Sequence, residues 1–482
     1  MTLAGTLACA QSPGSFTPTG TMTIPRAHHT ATLLNDGRVL VAGGVPAWRM
    51  GVLNLDSAEL YDPSTRMFTA TGKMTAARND HTATLLADGT VLIAGGMGSD
   101  GRSVVDTAEI YDPATGTFSA TGKMTVPRWY TPATLLNNGK VLIAGGCTSG
   151  DDLSSAEIYD PSTGTFIATG NMTTGHCGPI AVPLASGKVL ILPTNQGYDL
   201  GSPELFDADS GTFRPIDWAA PAQGYAASTA NLLTDGKVLV TVSDNSYCFS
   251  PNPDAQLYDP ATETFSGTGN TIGVRCDSTG TSLSDGTPLI TGTYAPSGEN
   301  PNELYDPASG AFSATGVMLV PGRFLHTATL LIDGTVLVTG GFYLIDEPGF
   351  QAPSCCLDSA ELYTPAQPLP AAALLSLSGD GRGQGAIWNP QTGQIASPDN
   401  PASAGDVLSM YSTSLIEGGV IPPQVAIGGR LAEILFFGDA PGYPGYNQVN
   451  FQVPKGVAPG PAVSVRLTYL SRPSNGVTIG VQ

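Results

Sequence analysis

Histidine, aspartate and cysteine supply the reactive side chains of this 482-residue chain. Three of its five histidines, His29, His81 and His326, each lie three residues after an arginine and seven residues before an aspartate. A metal site would need several such ligands to converge on one ion. Because the Arg-x-x-His spacing recurs, we interpret these histidines as a structural repeat position that forms hydrogen bonds between neighbouring units. The sequence therefore predicts no metal site and no cofactor.

The two residues that follow the arginine position differ from unit to unit, and they are candidate binding groups. Aromatic and acidic side chains around an opening suit a polar ligand such as a glycan, or a protein partner. The alternative is that exposed loops have simply drifted. The candidate ligand-binding residues, including those of other loops on the same face, are His28, Trp48, Arg49, Asp80, Trp129, Tyr130, Asp277, Phe324, Tyr343 and Asp346.

Three of these residues are also candidates for acid–base chemistry. Cleavage of a sugar chain needs a pair of carboxyl groups, and Asp80, Asp277 and Asp346 are the first to consider. The glutamate that recurs in the motif Glu-Leu-Tyr is instead expected to be scaffold and a partner for the recurrent arginine. The sequence has no Gly-x-Ser-x-Gly elbow and no phosphate-binding loop, so no catalytic residue is assigned.

A repeat of about fifty residues must position these groups. The motif Glu-Leu-Tyr-Asp-Pro recurs with variation, and each copy is preceded by an Asp-Gly, Asn-Gly or Ser-Gly dipeptide between two apolar runs, which is typical of a β-hairpin. A Gly-Gly pair follows in four units and is replaced by Pro193-Thr194, Val242-Ser243 and Gly292-Thr293 in the others. The aromatic residues of the seven copies are Tyr61, Tyr111, Tyr159, Phe206, Tyr258, Tyr305 and Tyr363.

Each unit contains four short strands, which predicts one blade of a β-propeller. Residues 16–20 match the motif of a fourth strand, but the first three strands of a unit do not precede them. The last unit stops after three strands, at Tyr363. We therefore expect the N-terminal strand to complete the last of seven blades and to leave no free edge.

These motifs resemble Kelch repeats over residues 13–364: an Arg-x-x-His entry, an Asp-Gly turn, a Gly-Gly pair and a Tyr-Asp-Pro. The late tryptophan of that family is replaced by phenylalanine, as at Phe68 and Phe118. The resemblance implies an all-β fold, a seven-bladed Kelch-type β-propeller closed by the N-terminal strand. We expect the propeller to span residues 11–364, after a signal-peptide remnant at residues 1–10.

The tail, residues 374–482, is predicted to form a separate β-sandwich behind a Pro- and Ala-rich linker at residues 365–373. Its alternating apolar runs, punctuated by Gly and Pro, are typical of such a domain. Residues 421–429 and 446–454 resemble an immunoglobulin-like domain that is appended to secreted proteins of soil acidobacteria. This resemblance implies export and a bacterial source, but no activity.

A Kelch propeller followed by an immunoglobulin-like domain also resembles galactose oxidase. The copper site of that family uses two tyrosines and two histidines, with a cysteine crosslinked to a tyrosine. One of those histidines comes from the C-terminal domain. Because residues 374–482 contain no histidine, that ligand is missing, and a copper oxidase is the least favoured function.

Six of the seven cysteines are predicted to form disulfides, which fits an exported protein. Repeat position places four of them in pairs of loops that adjoin across neighbouring units, and the last two are adjacent in sequence. The predicted bridges are Cys147–Cys177, Cys248–Cys276 and a vicinal Cys355–Cys356.

Charge and the N-terminus indicate where the protein acts. A net charge of −20 disfavours nucleic acid and anionic membranes, because phosphate binding needs clustered Lys and Arg. No apolar run reaches the roughly 18 residues that a transmembrane segment needs. The tripeptide Ala8-Cys9-Ala10 fits a signal-peptidase site, so we expect the protein to be secreted, periplasmic or on the cell surface.

The leading hypothesis is a secreted, non-catalytic binding or scaffold protein that recognises a glycan or protein partner through the loop face of the propeller. The alternative is an exported carbohydrate-active hydrolase or lyase that uses acidic residues on that face. A galactose-oxidase-like copper enzyme comes third.

Overall fold

The structure is a computed structural model, and it describes most of the chain. The described ranges are 14–47, 53–194, 201–218, 225–244, 254–273, 277–292, 302–347, 350–416 and 418–482. For residues 225, 244, 344–347 and 350–355 the backbone alone is described. Every regular element in these ranges is a β-strand. Among these residues there is no helix with the length and apolar character that a membrane crossing requires.

Seven four-stranded antiparallel sheets form the blades of a propeller. The chain begins with β1 (Ser15–Pro18), which belongs to the last blade. Blades one and two comprise β2 (Thr30–Leu33), β3 (Val39–Ala42), β4 (Ala58–Asp62), β5 (Met67–Ala70), β6 (Thr82–Leu85), β7 (Val91–Ala94), β8 (Ala108–Asp112) and β9 (Thr117–Ala120). Blades three and four comprise β10 (Ala133–Leu135), β11 (Val141–Ala144), β12 (Ala156–Asp160), β13 (Thr165–Ala168), β14 (Ile180–Pro183), β15 (Val189–Leu192), β16 (Glu204–Asp207) and β17 (Thr212–Pro215).

The remaining blades follow the same pattern, with one insertion in blade seven. Blades five and six comprise β18 (Tyr225–Leu232), β19 (Val238–Asp244), β20 (Asp254–Asp259), β21 (Thr264–Gly267), β22 (Thr279–Ser282), β23 (Pro288–Thr291), β24 (Glu303–Asp306) and β25 (Ala311–Ala314). Blade seven comprises β26 (Thr327–Leu330), β27 (Val336–Thr339), the inserted hairpin β28 (Phe342–Glu347) and β29 (Phe350–Cys356), then β30 (Ala360–Thr364) and β1. The predicted all-β, seven-bladed propeller is confirmed.

The N-terminal strand closes the ring. β1 pairs antiparallel with β30, with Phe16 opposite Tyr363, and the two rings lie 5.0 Å apart. The next residues cross to blade one, where the Thr19 hydroxyl lies 2.8 Å from the hydroxyl of Tyr61. The predicted closure is therefore confirmed, and β30 has no free edge.

The motif Phe-x-Ala-Thr-Gly, present in four blades, joins a blade to the next one. Tyr111 of blade two packs on Phe118 with ring centroids 4.7 Å apart, and its hydroxyl lies 2.9 Å from that of Thr71 in blade one. A Cβ on Gly72 would lie 2.3 Å from the carbonyl oxygen of Gly116 in blade two. This close approach explains why the motif ends in glycine.

A buried ion pair joins the arginine loop to the third strand in four blades. Arg78 Nη2 donates to Glu109 Oε1 at 2.8 Å, and both side chains are at most 1% exposed. Arg78 Nη1 also donates to the carbonyl oxygen of Gly95 at 2.8 Å. Pairing and hydrogen bonding offset the cost of burying both charges. The equivalent pairs are Arg26–Glu59, Arg128–Glu157 and Arg323–Glu361, so the expected role of the repeat glutamate is confirmed.

The Gly-Gly pair links such an arginine to the preceding blade through a backbone hydrogen bond. Gly96 N donates to the carbonyl oxygen of Arg128 in blade three at 2.9 Å, and Gly341 N of blade seven donates to Arg26 of blade one at 2.9 Å. The φ angles of Gly95 and Gly96 are 66° and 97°, a region that glycine enters at little cost. The bonds from Gly-Gly to arginine thus continue across the point of ring closure.

The repeat histidines are scaffold, as predicted, but they bond hydroxyl groups of the preceding blade rather than its backbone. His81 Nε2 lies 3.0 Å from Thr30 Oγ1, and His326 Nε2 lies 3.0 Å from Thr291 Oγ1. Burial, with a smaller contribution from the nearby arginine, lowers the pKa of each of these two histidines to about 3. Both imidazoles are therefore neutral at neutral pH.

The innermost strands surround a central channel of about 680 Å³. Small residues line it because seven strands converge on one axis; they are Ala31, Ala83, Ala133, Ala181, Ala230, Gly280 and Ala328. Residues of the C-terminal region, among them Ile421, Leu431 and Arg466, line the other end of the channel. The channel is thus covered on the side of the Asp-Gly turns.

The C-terminal region forms one curled, eight-stranded sheet around its own core. Its strands are β31 (Ile387–Trp388), β32 (Val407–Ser412), β33 (Gln424–Ile427), β34 (Arg430–Asp439), β35 (Asn447–Gln452), β36 (Gly460–Tyr469), β37 (Arg472–Pro473) and β38 (Val477–Val481). They follow the order β31-β32-β35-β34-β33-β36-β37, with β38 paired to β36. Leu408, Phe451 and Val465 are fully buried in the core. This sheet confirms the predicted C-terminal β-sandwich.

The sandwich packs on the propeller face that carries the Asp-Gly turns. Arg466 Nη1 donates to the carbonyl oxygen of Asn35 at 3.0 Å, and Val420 N donates to that of Thr234 at 3.0 Å. Each innermost strand runs from the arginine loop to the Asp-Gly turn. The arginine loops and the variable residues after them therefore lie on the opposite face, away from the sandwich.

Phe16→Ala is expected to lower the free energy of unfolding by about 3 kcal/mol, the usual cost of removing a buried aromatic ring. Phe16 is 8% exposed, close to the 7% of Phe68 at the same position of blade one. Phe68→Ala is the matched control and should cost a similar amount. Chemical denaturation of both variants measures the two losses. A much smaller loss for Phe16→Ala would show that the terminal strand does not secure the ring.

His326→Gln is expected to reduce the loss of stability in acid. The pKa of His326 is about 3 in the folded protein against 6.5 ordinarily, so the unfolded chain takes up a proton first as the pH falls. The stability from the neutral form is present above about pH 6.5 and is lost as the pH falls towards 3. Between pH 7 and 5 this loss is about 2 kcal/mol.

Urea denaturation of wild type and His326→Gln from pH 5 to 8 tests this prediction. Above pH 7, where the imidazole is neutral in the folded and unfolded chain, the free energies of unfolding of the two proteins should differ by a constant amount. Below pH 7 wild type should lose more stability than the variant. A difference that stays constant down to pH 5 would contradict a buried, neutral His326.

Candidate functional site

The second residue after the repeat arginine lies at the propeller axis in a left-handed backbone conformation. The φ angle is 54° at His28, 48° at Asp80, Tyr130 and Asp277, and 50° at Leu325. Asp80 N donates to the carbonyl oxygen of His28 at 3.1 Å, and Tyr130 N donates to that of Asp80 at 3.1 Å. Residues other than glycine adopt this conformation at a cost, and such residues concentrate at functional sites. We call these positions the axial ring.

Side-chain size divides the axial ring into a filled half and an open half. Blades one to three supply the large groups of His28, Asp80 and Tyr130, whereas blades four and five supply Gly178 and Ala227. The open half is a cavity of about 220 Å³, which we call the axial cavity. The polar residues of its wall are Thr194, Ser228, Ser243, Asp277, Ser278, Thr279 and His326.

The filled half is a hydrogen-bonded cluster. His28 Nδ1 lies 2.6 Å from Asp80 Oδ1 and 3.2 Å from the Tyr130 hydroxyl. The His28 ring packs edge-on against Phe342 with centroids 5.6 Å apart. The Trp129 ring packs on Tyr130 at 4.5 Å. Aromatic packing therefore holds the imidazole and the phenol in place.

Burial and charge shift the acid–base properties of this cluster. Burial alone would lower the pKa of His28, but the carboxylates of Asp80 and Asp277 outweigh it and raise the pKa above its ordinary value. Burial raises the pKa of Asp277, with partial opposition from His28. Burial and the two carboxylates raise the pKa of Tyr130 well above its usual range. The site therefore combines an imidazole that favours its charged form, a carboxyl that resists ionisation and a phenol that stays protonated.

This arrangement can form hydrogen bonds to a polyhydroxyl ligand and can donate a proton. Asp277 is the link between the two halves, because it lines the axial cavity and its carboxylate interacts with the charge of His28. The cavity wall adds hydroxyl groups, each of which donates one hydrogen bond and accepts others.

A disulfide braces the wall beside the open half. Cys147 of blade three is bonded to Cys177 of blade four, with their Cα atoms 4.9 Å apart, so this predicted bridge is confirmed. Asp152 approaches both sulfurs, and these three residues are the one cluster with metal-ligand spacing in the described part of the chain. Because metals bind thiolates and these sulfurs are bonded to each other, we assign no metal here.

Two other predicted site residues, Phe324 and Tyr343, do not line the axial cavity. Phe324 is 4% exposed and packs on Phe342 in a small core cluster. Tyr343 is half-buried in β28. Trp48, Arg49, Cys248 and Cys276, and the side chains of Asp346 and Cys355, lie outside the described residues.

Sequence analysis missed the hydroxyl residues of the cavity wall. Thr194 and Ser243 occupy the second position of the Gly-Gly pair in blades four and five, where that pair is replaced. The loss of Gly-Gly in neighbouring blades was therefore a usable signal for the open side of the axis. Ser228 and Ser278 follow the axial ring by one residue and carry no comparable signal.

Comparisons with known proteins agree with the fold. The Kelch motif family matches residues 128–173, which contain all four strands of blade three. No curated protein matches the chain. A solved structure described as a novel fungal alcohol oxidase with catalytic diversity among the AA5 family, in complex with copper, is similar with a TM-score of 0.63 and 15% identity. The similarity covers 98% of this chain and 100% of that chain. At this identity the similarity shows the fold alone.

The copper of that relative does not fit the donors at this axis. Of the five histidines in the chain, His28 alone belongs to the axial ring, where Tyr130 is the neighbouring phenol. The remaining four are at most 6% exposed, with Nε2 near threonine hydroxyls of the scaffold; they are His29, His81, His176 and His326. A set of two tyrosines and two histidines is therefore not formed by the described residues.

Asp80→Asn is expected to lower the pKa of His28, because it removes the nearest carboxylate that stabilises the imidazolium. An NMR titration of the imidazole signals measures this pKa. Asp88→Asn, in an exposed turn of the same blade, is the control and should leave it unchanged. An unchanged pKa in Asp80→Asn would contradict the His28–Asp80 ion pair.

Proposed function

We propose that this protein is an exported recognition protein that binds the terminal residue of a glycan in the axial cavity. The chemistry of the cavity wall supports this most directly, because it presents hydroxyl groups and the Asp277 carboxyl. Such groups both donate to and accept from the hydroxyls of a sugar. At about 220 Å³ the cavity is smaller than the roughly 300–1,000 Å³ of sites for drug-sized ligands, which favours a single ring.

An unsatisfied hydroxyl in the wall supports a polar ligand. Ser243 is 4% exposed, and within the described residues its Oγ has no hydrogen-bond partner. Leaving a buried polar group unsatisfied costs about 1–3 kcal/mol. Rotation of the Ser243 side chain towards the cavity would let a ligand hydroxyl bond it and remove this cost, which an apolar ligand could not do.

Charge and covalent structure support the class of ligand and the location. A net charge of −20 favours a neutral glycan over an anionic one and over nucleic acid. The Cys147–Cys177 disulfide is typical of proteins in oxidising compartments, in line with the signal-peptidase pattern at Ala8-Cys9-Ala10.

A second candidate function is acid–base cleavage of a glycosidic bond. The observation that favours it is the pair of raised pKa values at His28 and Asp277, because perturbed groups cluster at catalytic sites. In this mechanism Asp277 donates a proton to the departing sugar oxygen, and water adds to the anomeric carbon and gives its proton to the Asp80 carboxylate, which His28 holds in place. The copper-dependent oxidation suggested by the fungal relative lacks the donor set described above and is not proposed.

Isothermal titration of the intact protein with neutral mono- and disaccharides tests the binding. We expect saturable binding to at least one sugar, weakened about tenfold or more by Asp277→Asn, because the variant replaces an acceptor in the cavity wall. Asp209→Asn, in an exposed turn of blade four, is the control and should bind like wild type. Binding that Asp277→Asn leaves unchanged, or no binding at all, would contradict the proposal.

Turnover separates the two candidates. Incubation of the sugar that binds, as its aryl glycoside, should release no aryl alcohol if the protein is a recognition protein. Release that His28→Gln abolishes would establish the second candidate instead.

A further inference from the structure

The C-terminal sandwich carries a row of aromatic rings. Trp388 of β31 packs on Tyr411 of β32 with centroids 4.8 Å apart, and Tyr411 packs on Tyr443 at 5.2 Å. Tyr443 is 55% exposed, and Phe436 of β34 is 45% exposed. Exposed aromatic groups that touch one another mark interaction surfaces more often than single exposed side chains do.

Strand alternation places these rings on the outer face of the sheet. In β32, Leu408 and Met410 belong to the core, so Tyr411 points to the opposite face. In β35, Val449 and Phe451 belong to the core, and the residues between and beside them point outwards. We call the outer surface of β31, β32, β35 and β34 the aromatic face.

Amide and hydroxyl groups lie between the rings. Gln448 Nε2 donates to Asn450 Oδ1 at 2.9 Å, and the Ser409 hydroxyl donates to the same oxygen at 2.7 Å. Each amide has a further donor or acceptor atom that these contacts do not use. The register places Trp388 beside Ser409, Ser409 beside Asn450 and Asn450 beside Phe436. The row therefore crosses four strands, about 14 Å.

Charge restricts what this surface can bind. Its ring and amide residues are neutral, namely Trp388, Tyr411, Phe436, Tyr443, Gln448 and Asn450. Glu433, which precedes Phe436 on β34 and pairs with Gln452, is acidic. A chain with a net charge of −20 repels anionic polymers. Aromatic faces are electron-rich and attract the C–H groups of a sugar ring, while amides bond its hydroxyls. A neutral sugar polymer satisfies all three properties.

The aromatic face is separate from the contact with the propeller. That contact uses β33, β36 and the first residues of β34, for example through Arg466 and Leu431, whereas the aromatic face uses β34 from Phe436 onwards. The aromatic face begins at β31, at the opposite end of the strand order. Tyr443 and Phe436 remain 55% and 45% exposed with the propeller in place, so this face is open.

We propose that the aromatic face binds a neutral polysaccharide chain, with sugar rings stacked on Trp388 and Tyr443 and sugar hydroxyls bonded to Gln448 and Asn450. This site is independent of the axial cavity. It anchors the protein on a polymer while the propeller engages its own ligand.

Affinity electrophoresis of the intact protein in gels that contain xylan, laminarin, hydroxyethylcellulose or starch tests this site. At least one polymer should retard wild type, and Tyr443→Ala should weaken the retardation at least fivefold. Tyr443 is an exposed loop residue, so its removal should leave the fold intact, as circular dichroism can check. Gln448→Ala should weaken retardation by a smaller factor.

Two control variants distinguish the aromatic face from the rest of the protein surface. Ile167→Ala removes an exposed apolar side chain, 61% exposed, from the propeller rim and should leave retardation unchanged. Asp209→Asn, in an exposed turn of blade four, should also leave it unchanged. Retardation by none of the four polymers, or retardation that survives Tyr443→Ala, would overturn the proposal. So would a dimer in light scattering that Tyr443→Ala dissociates, because the face would then be a contact between two copies of the chain.

Discussion

The buried pair between the repeat arginine and the repeat glutamate is the interaction on which the propeller depends. The arginine guanidinium donates to the glutamate and to the carbonyl oxygen of the first glycine of the Gly-Gly pair. The backbone N–H of the second glycine donates to the carbonyl oxygen of the arginine in the next blade. Removing one partner of such a pair leaves a buried charge and costs about 3–5 kcal/mol. Where the arginine position becomes His176 in blade four, the imidazole still lies 3.9 Å from Glu204. The pair fixes the chain just before the axial ring.

This constraint explains how one scaffold can hold a specific site. The backbone of the axial ring is set by contacts that repeat around the propeller, so the side chains can change without loss of the fold. Large groups fill one side at His28, Asp80 and Tyr130, and Gly178 and Ala227 leave the other side open. The side chains at these positions can thus differ between blades while the repeat maintains the fold. The C-terminal sandwich covers the opposite end of the channel and presents a second, aromatic surface.

Much of this fold could be predicted because the same strand and turn motifs recur in seven units. Turns, strand number and closure by Phe16 follow from local spacing, and the Cys147–Cys177 bridge follows from repeat position. The burial of Phe324 could not be predicted, because it depends on Phe342 of an inserted hairpin. The cavity wall was missed because Ser243 stands where the repeat has the second glycine of the Gly-Gly pair, and a lost motif is harder to notice than a present one. The aromatic row was missed because Trp388, Tyr411 and Tyr443 come from separate segments of a tail without repeats.

We propose that the axial cavity is the ligand site of the propeller. A crystal structure of the intact protein soaked in neutral mono- and disaccharides tests it most directly. We expect electron density for one sugar ring in the cavity, with hydroxyls within hydrogen-bond distance of Asp277 and Ser243. Sugar density elsewhere on the propeller, with water alone beside Asp277, would contradict it.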